Sequence, residues 1–129
     1  MSSTVHDREQ LLDLLQHYFN SLYRGDVERL RQIFHPRARL FGEVKGEVLL
    51  RDLEPYLQAV ATRKSPQQNA EAQRMEVLAL RVDGSVALAT TRCEMLGFNY
   101  LDQLSLLKQD GRWFIVSKVY TDLRPQPGP

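Results

Sequence analysis

Residues 98–122 read FNYLDQLSLLKQDGRWFIVSKVYTD. Two runs of alternating character, Phe98–Lys108 and Arg112–Asp122, flank Asp110-Gly111, a dipeptide that favours tight reversal between antiparallel strands. A three-residue loop, Gln109-Asp110-Gly111 with Gly111 left-handed, sets Lys108 against Arg112. Leu106 then pairs with Phe114, Leu104 with Val116, Asp102 with Lys118 and Tyr100 with Tyr120. The opposite face pairs Leu107 with Trp113, Ser105 with Ile115 and Leu101 with Val119. A two-residue turn would place Asp102 against Val119 and Lys118 against Gln103, so like-with-like pairing favours the longer loop. One face joins aromatic rings to an acid and a lysine, the composition of a pocket wall with polar anchors. The other carries Leu101, Leu107, Trp113, Ile115 and Val119, too apolar to stay wet on a monomer. Helices can cover only one face of such a sheet. The expectation is that a second copy of the chain covers the other, giving a homodimer.

Upstream, Arg74–Val82 and Val86–Leu96 alternate in the same way, with Asp83-Gly84 as a turn and Gly97 at the remaining reversal. Before them the period is helical. Leu11, Leu12, Leu14, Leu15, Tyr18, Phe19 and Leu22 share the spacing of one helix, opened by Thr4 with Asp7 in its first turn and closed by Gly25. Asp26 caps a second helix carrying Val27, Leu30, Ile33 and Phe34 inward, and His35-Pro36 stops it. Ala38–Glu43 and Glu47–Arg51 read as short strands about Lys45-Gly46. Asp52 caps a third helix with Leu53, Tyr56, Leu57 and Val60 on one face. Residues 63–70 (RKSPQQNA) have no period and form the best candidate for a mobile lid. The tail 124–129 (RPQPGP) is expected to be disordered, leaving a single domain over residues 1–123. Helices first and a long meander afterwards give an α+β fold, with three helices packed on a curved antiparallel sheet.

With 129 residues there is room for one ordinary domain and a real core. A net charge of +1 gives no electrostatic footprint for nucleic acid or an anionic membrane, so neither is expected as a partner. No apolar run approaches the roughly 20 residues that span a bilayer. The N-terminus is polar, without the pattern of a signal peptide, and the single cysteine, Cys93, reads as a small buried hydrophobe. These features imply a soluble protein of the reducing cytoplasm. Three scattered histidines and one cysteine make no metal site, and no phosphate-binding glycine loop or nucleophile elbow occurs, so no cofactor is expected.

The stretch Gln16–Asp26, followed by Leu30, Phe34, His35-Pro36 and Ala38, resembles the opening of the nuclear transport factor 2-like superfamily. That group includes ketosteroid isomerase and the polyketide-cyclase-like proteins. The run Asp102–Val119, with Arg63-Lys64-Ser65-Pro66, is more specific and resembles the bacterial lumazine-binding subgroup. The resemblance implies a cone-shaped domain, a cystatin-like α+β roll, whose helices close over the concave face of a bent sheet and which dimerises through the convex face. It places Tyr18 at the oxyanion-hole tyrosine of ketosteroid isomerase and Asp102 at its hydrogen-bond-donating aspartate. The base of that enzyme would stand near Gly42. Glu43 is one residue out of register there and points to the opposite face of a regular strand.

Asp102, Tyr18 and His35 are therefore the candidates for catalysis. Tyr23, Phe34, Phe41, Tyr56, Tyr100, Leu104, Lys118 and Tyr120 are candidates for lining a ligand pocket. An Asp102 facing Lys118 is held ionised, and such a pair serves as a structural ion pair, a ligand anchor or an acid–base couple. The first expectation is a pocket domain for a small aromatic or heterocyclic ligand. The alternatives are an isomerase, cyclase or dehydratase, and an association domain whose cavity is filled by side chains.

Overall fold

Three helices and six strands follow one another along a computed structural model that describes residues 3–124: α1 (Ser3–Arg24), α2 (Val27–Ile33), β1 (Phe34–Val44), β2 (Glu47–Asp52), α3 (Leu53–Thr62), β3 (Arg74–Asp83), β4 (Val86–Met95), β5 (Phe98–Gln109) and β6 (Arg112–Asp122). Beyond Arg124, the expected tail lies outside the described residues. The strands form one curved sheet in the order β2-β1-β6-β5-β4-β3. Every pairing is antiparallel except β1 with β6, which is parallel, so the sheet is mixed rather than wholly antiparallel as expected. A parallel pair needs a long crossover. Here the crossover is most of the chain, because β6 reaches β1 only after the full meander.

Apolar spacing decides which side of each element is buried. Leu11, Leu15, Tyr18 and Leu22 of α1 stack onto Leu30 of α2, Leu57 of α3 and the inward residues of the sheet. The Asp26 carboxylate accepts the Arg29 N–H at 3.1 Å and caps α2, and the chain turns extended at Phe34 before Pro36. Asp52 precedes α3 without a side-chain capping bond; its carboxylate pairs with Arg39 at 3.4 Å instead. Asp7 does not serve the first turn of its helix. It is buried, and its Oδ1 accepts from Lys108 Nζ at 2.8 Å and Trp113 Nε1 at 3.3 Å, tying α1 to the far end of the β5–β6 hairpin.

The register of that hairpin differs from the expected one. Gln109 faces Arg112 across a two-residue turn in which Asp110 (φ 54°) and Gly111 (φ 76°) are both left-handed. That is the turn whose twist best matches a hairpin. Leu106 pairs with Ile115 but Ser105 with Ser117, so Val116 is an extra residue bulged out of β6. Past the bulge Leu104 faces Lys118, Asp102 faces Tyr120 and Tyr100 faces Asp122. The two departures add: the short turn shifts the pairing by one residue and the bulge by another in the same direction, and a shift of two keeps each side chain on its face. Asp102, Lys118, Tyr100 and Tyr120 therefore share the concave face as expected, with Asp102 and Lys118 diagonal rather than opposite.

The bulge also reverses alternation on its turn side. Trp113 and Ile115 face inward, 4% and 0% exposed, and belong to the chain's own core rather than to the outer face where they were expected. Leu101, Leu107 and Val119 remain on the outer face, joined there by Phe41, Val48, Leu50 and Leu88. Residues 63–70, the lid candidate, carry hydrogen bonds of their own. The Ser65 hydroxyl accepts from Gln68 N, Gln68 Oε1 accepts from Ser65 N, and Gln67 N donates to the Tyr23 carbonyl, pinning the loop against the end of α1. Among the described residues no helix is long and apolar enough to cross a membrane.

Candidate functional site

Asp102 stands at the centre of the concave face, on β5 between Thr91 of β4 and Tyr120 of β6. It is 1% exposed, and Lys118, diagonal to it on β6, is 5% exposed. Two ionisable groups this deep need partners, since leaving either charge alone in an apolar interior is costly. The Tyr18 hydroxyl, presented by α1, donates to Asp102 Oδ2 at 2.6 Å. Lys118 Nζ lies 3.8 Å from the same oxygen and donates to the Tyr56 hydroxyl at 3.1 Å. The rings of Tyr56, Tyr120 and Tyr18 surround the ammonium at 4.9, 5.2 and 5.5 Å from their centres, within reach of cation–π attraction.

A cavity of about 300 Å³ opens over this pair. Asp102, Lys118, Cys93, Tyr100 and Tyr120 form its floor, and Tyr56 and Arg63 of α3 its roof. Leu49 and Arg51 of β2 and Phe98 of β5 make its wall. The volume is at the lower end of small-molecule pockets, roughly 300–1,000 Å³. It is not filled by side chains. Gly42 supports its shape: a Cβ there would fall 2.3 Å from Tyr120 Cζ, so only glycine lets the phenol lie flat against β1.

The electrostatics follow from burial and proximity. Burial, the largest single effect, would push the Lys118 ammonium down, but the Asp102 carboxylate and the Tyr56 hydroxyl together outweigh it and the group ends above its usual range. Lys118 is thus a cation at neutral pH. Burial and then the Asp102 charge push the Tyr18 phenol well up, so it remains a donor. The same two causes, in the same order, push the Cys93 thiol up and leave it inert as a nucleophile. Asp102 Oδ1 is buried without a hydrogen-bond partner, as is the hydroxyl of Thr91 across from it on β4. The arrangement therefore offers a ligand one acceptor beside one ammonium donor, and its hydrogen bonds fix both in place.

A family model described as "Putative lumazine-binding" matches residues 6–121. The chain belongs to this family. A protein of unknown function from Silicibacter pomeroyi, described as NTF-2-like, is 25% identical with a TM-score of 0.84, covering 95% of this chain and 99% of that one. Another, from Methylobacillus flagellatus, is 26% identical with a TM-score of 0.82, covering 92% and 93%. A third, from Shewanella baltica, shares the fold at 21% identity and a TM-score of 0.86 over 98% and 100% of the two chains. The expected NTF2-like architecture is thereby shown. A curated relative, "Aldolase FrzH" of Cladobotryum sp, is 26% identical over 106 residues, 80% of this chain and 81% of that protein.

In this lumazine-binding-family domain the residues expected at the site separate into three groups. Asp102, Lys118, Tyr56, Tyr100 and Tyr120 line the cavity, and Tyr18 touches it through Asp102. Phe34 and Leu104 are fully buried core beside it, Phe34 packing edge-on to both Tyr18 and Tyr56. Phe41, Tyr23 and His35 are elsewhere. Phe41 is 42% exposed on the outer face, because strand alternation carries Leu40 and Gly42 inward. The Tyr23 hydroxyl donates to the Glu71 carbonyl at the end of α1. His35 packs edge-on to Phe114, and its Nδ1 accepts from Arg37 N. Glu43 is turned outward as expected, accepting from Gly46 N and the Thr121 hydroxyl. Arg63, Arg51 and Phe98 were not foreseen. Arg63 stands at the C-cap of α3, where sequence shows only the start of a polar loop.

Proposed function

We propose that this chain is a small-molecule-binding domain whose ligand is a planar, aromatic or heterocyclic molecule carrying an N–H next to a carbonyl, as in a cyclic amide. The observation that carries this reading is the unpartnered Oδ1 of buried Asp102, fixed beside the Lys118 ammonium under an open cavity. An N–H donating to Asp102 and an adjacent carbonyl accepting from Lys118 would satisfy both groups, while Tyr100, Tyr120 and Phe98 offer flat surfaces to a ring. The family's description, which refers to a bicyclic compound of this kind, points the same way. The proposal extends to a homodimer through the outer sheet face, working in the cytoplasm without a cofactor.

Calorimetric titration with lumazine and quinolin-2-one tests it. Saturable binding is expected, weakened about tenfold or more by Asp102→Asn. Tyr18 would hold the asparagine oxygen in place of Oδ2, so the amide nitrogen replaces Oδ1 and turns an acceptor into a donor. Binding that is indifferent to this change, or absent for both compounds, contradicts the reading.

A second reading rests on the same oxygen and on the relative named an aldolase. Asp102 Oδ1 would remove a proton from carbon next to a ketone, and the Lys118 ammonium would stabilise the enolate oxygen as it forms. Lys118 is held as a cation, so this chemistry runs through an enolate rather than an imine on lysine. Borohydride is expected to trap no adduct, while deuterium exchange at the α-carbon of a bound ketone would depend on Asp102. Exchange equal in wild type and Asp102→Asn rules this reading out.

A further inference from the structure

The cavity has another unmatched group besides Asp102. Nη2 of Arg63 is buried and has no hydrogen-bond partner. A guanidinium carries five N–H donors in a planar fork and is never neutral in a protein, so a buried fork nitrogen without a protein acceptor is open to an acceptor on a ligand, an anion above all. Thr91 Oγ1, Asn99 Oδ1 and Asp122 Oδ2 are also buried without a partner, and none of them is bonded to Arg63 Nη2. The Asp122 carboxylate is held by its other oxygen, Oδ1, which accepts from the backbone N–H of Asn99 and of Arg124.

The charge around the cavity agrees. Lys45, Arg51, Arg63 and Lys118 face only Glu47 and Asp102, four cations against two carboxylates. Lys118 is committed to Asp102 and Tyr56, and Lys45 lies over the Phe98 ring at 5.5 Å. Arg63 is half-buried, and its Nη2 is the cationic nitrogen of this cavity that is buried without a partner. It is also well placed: its backbone is fixed as the C-cap of α3, where its N–H bonds to the Ala59 carbonyl at 3.2 Å.

We infer that the ligand is an anion, a planar ring carrying a carboxylate that Arg63 clamps while the ring's amide edge meets Asp102 and Lys118. This rests on the binding reading above and narrows it to a substrate class, a heteroaromatic carboxylic acid. A carboxylate matches the guanidinium fork with two parallel N–H···O bonds. An uncharged ligand of the same shape would leave Nη2 buried and unsatisfied. The two ends thus recognise different features of one molecule.

The test uses the full chain and a panel of bicyclic lactams, quinolin-2-ones and lumazines, each as a free ring-carboxylic acid and as its primary carboxamide. Affinities are read by calorimetry and the binding site by shifts of the tyrosine ring signals in NMR. The inference expects carboxylates to bind about ten- to a hundredfold tighter than their carboxamides. Arg63→Gln should erase that preference while leaving the effect of Asp102→Asn in place, and Arg63→Lys should keep part of it. The wild-type comparison does not depend on how well any variant folds. Carboxylates and carboxamides binding equally would overturn the clamp and leave the lactam-binding reading standing. If no member of either series moves the Tyr100 and Tyr120 signals, the binding reading itself falls and the clamp with it.

Discussion

Lys118 is the side chain on which the most interactions converge: three aromatic rings, one phenol oxygen and one carboxylate. Removing it leaves Asp102 as a buried charge with only the Tyr18 bond and a weak one from the Cys93 thiol, and removing Asp102 leaves an ammonium in a tyrosine cage. Each loss is of the kind that costs roughly 3–5 kcal/mol, because the surviving charge stays desolvated. Lys118→Met is therefore expected to lower urea-unfolding stability by about that amount. The double replacement Asp102→Asn with Lys118→Met should cost clearly less than the sum of the singles. Additive losses would mean the two groups are not coupled. At this scale the sequence was a good guide to which residues meet and a poor one to how. Tyr18 and Asp102 are 84 positions apart and their contact is legible only through the family resemblance. Phe41 and His35 show the limit: each is aromatic and close in sequence to pocket residues, and strand alternation turns Phe41 away. Arg63 left no signal, because a cation at a helix end reads as solvated surface until the fold encloses it.

The element scale is governed by how α1 meets the hairpin of β5 and β6. Asp7 is buried between Lys108 and Trp113, and its hydrogen bond from Lys108 holds its carboxyl below the usual range against the opposing effect of burial. A depressed folded value means the bond stabilises the fold fully above the unfolded value near pH 4, and the contribution disappears as pH falls through the folded value. Acid titration of unfolding stability should therefore show a decline beginning below about pH 4 that is shallower in Asp7→Asn. Identical acid slopes would remove the linkage. Strand positions, turn sites and the inward faces of the helices were all readable from spacing, since period and turn chemistry are local. The hairpin register was not. Pairing preferences worth a few tenths of a kcal/mol each chose the wrong loop. What decides the true register is the burial of Trp113 and Ile115 under α1 and α2, a tertiary demand met by bulging Val116. Residues 63–70 show a related limit of the sequence: the loop lacks a period but not partners, and its bonds run among Ser65, Gln68 and the Tyr23 carbonyl.

Over the whole molecule, a helix-covered concave face encloses the cavity and leaves the convex face bare. Phe41, Val48, Leu50, Leu88 and Val119 are 42–75% exposed on that face, apolar surface of the kind that proteins cover. Sedimentation equilibrium is expected to show a dimer, converted to monomer by Val119→Glu without loss of helical signal. A wild-type monomer at all concentrations would refute the assignment. That one face of the sheet is sealed and the other apolar was legible from alternation alone, whereas the identity of the outer residues had to await the bulge. The central claim concerns the sealed side: that Asp102 and Lys118 form a ligand-binding edge rather than a closed ion pair. A crystal structure grown with lumazine tests it most directly. The account predicts a flat molecule beneath Tyr56 and Arg63, its N–H within hydrogen-bond distance of Asp102 Oδ1 and its carbonyl within reach of Lys118 Nζ. A cavity collapsed onto Tyr100 and Tyr120, with Asp102 Oδ1 bonded to a protein group, would contradict it.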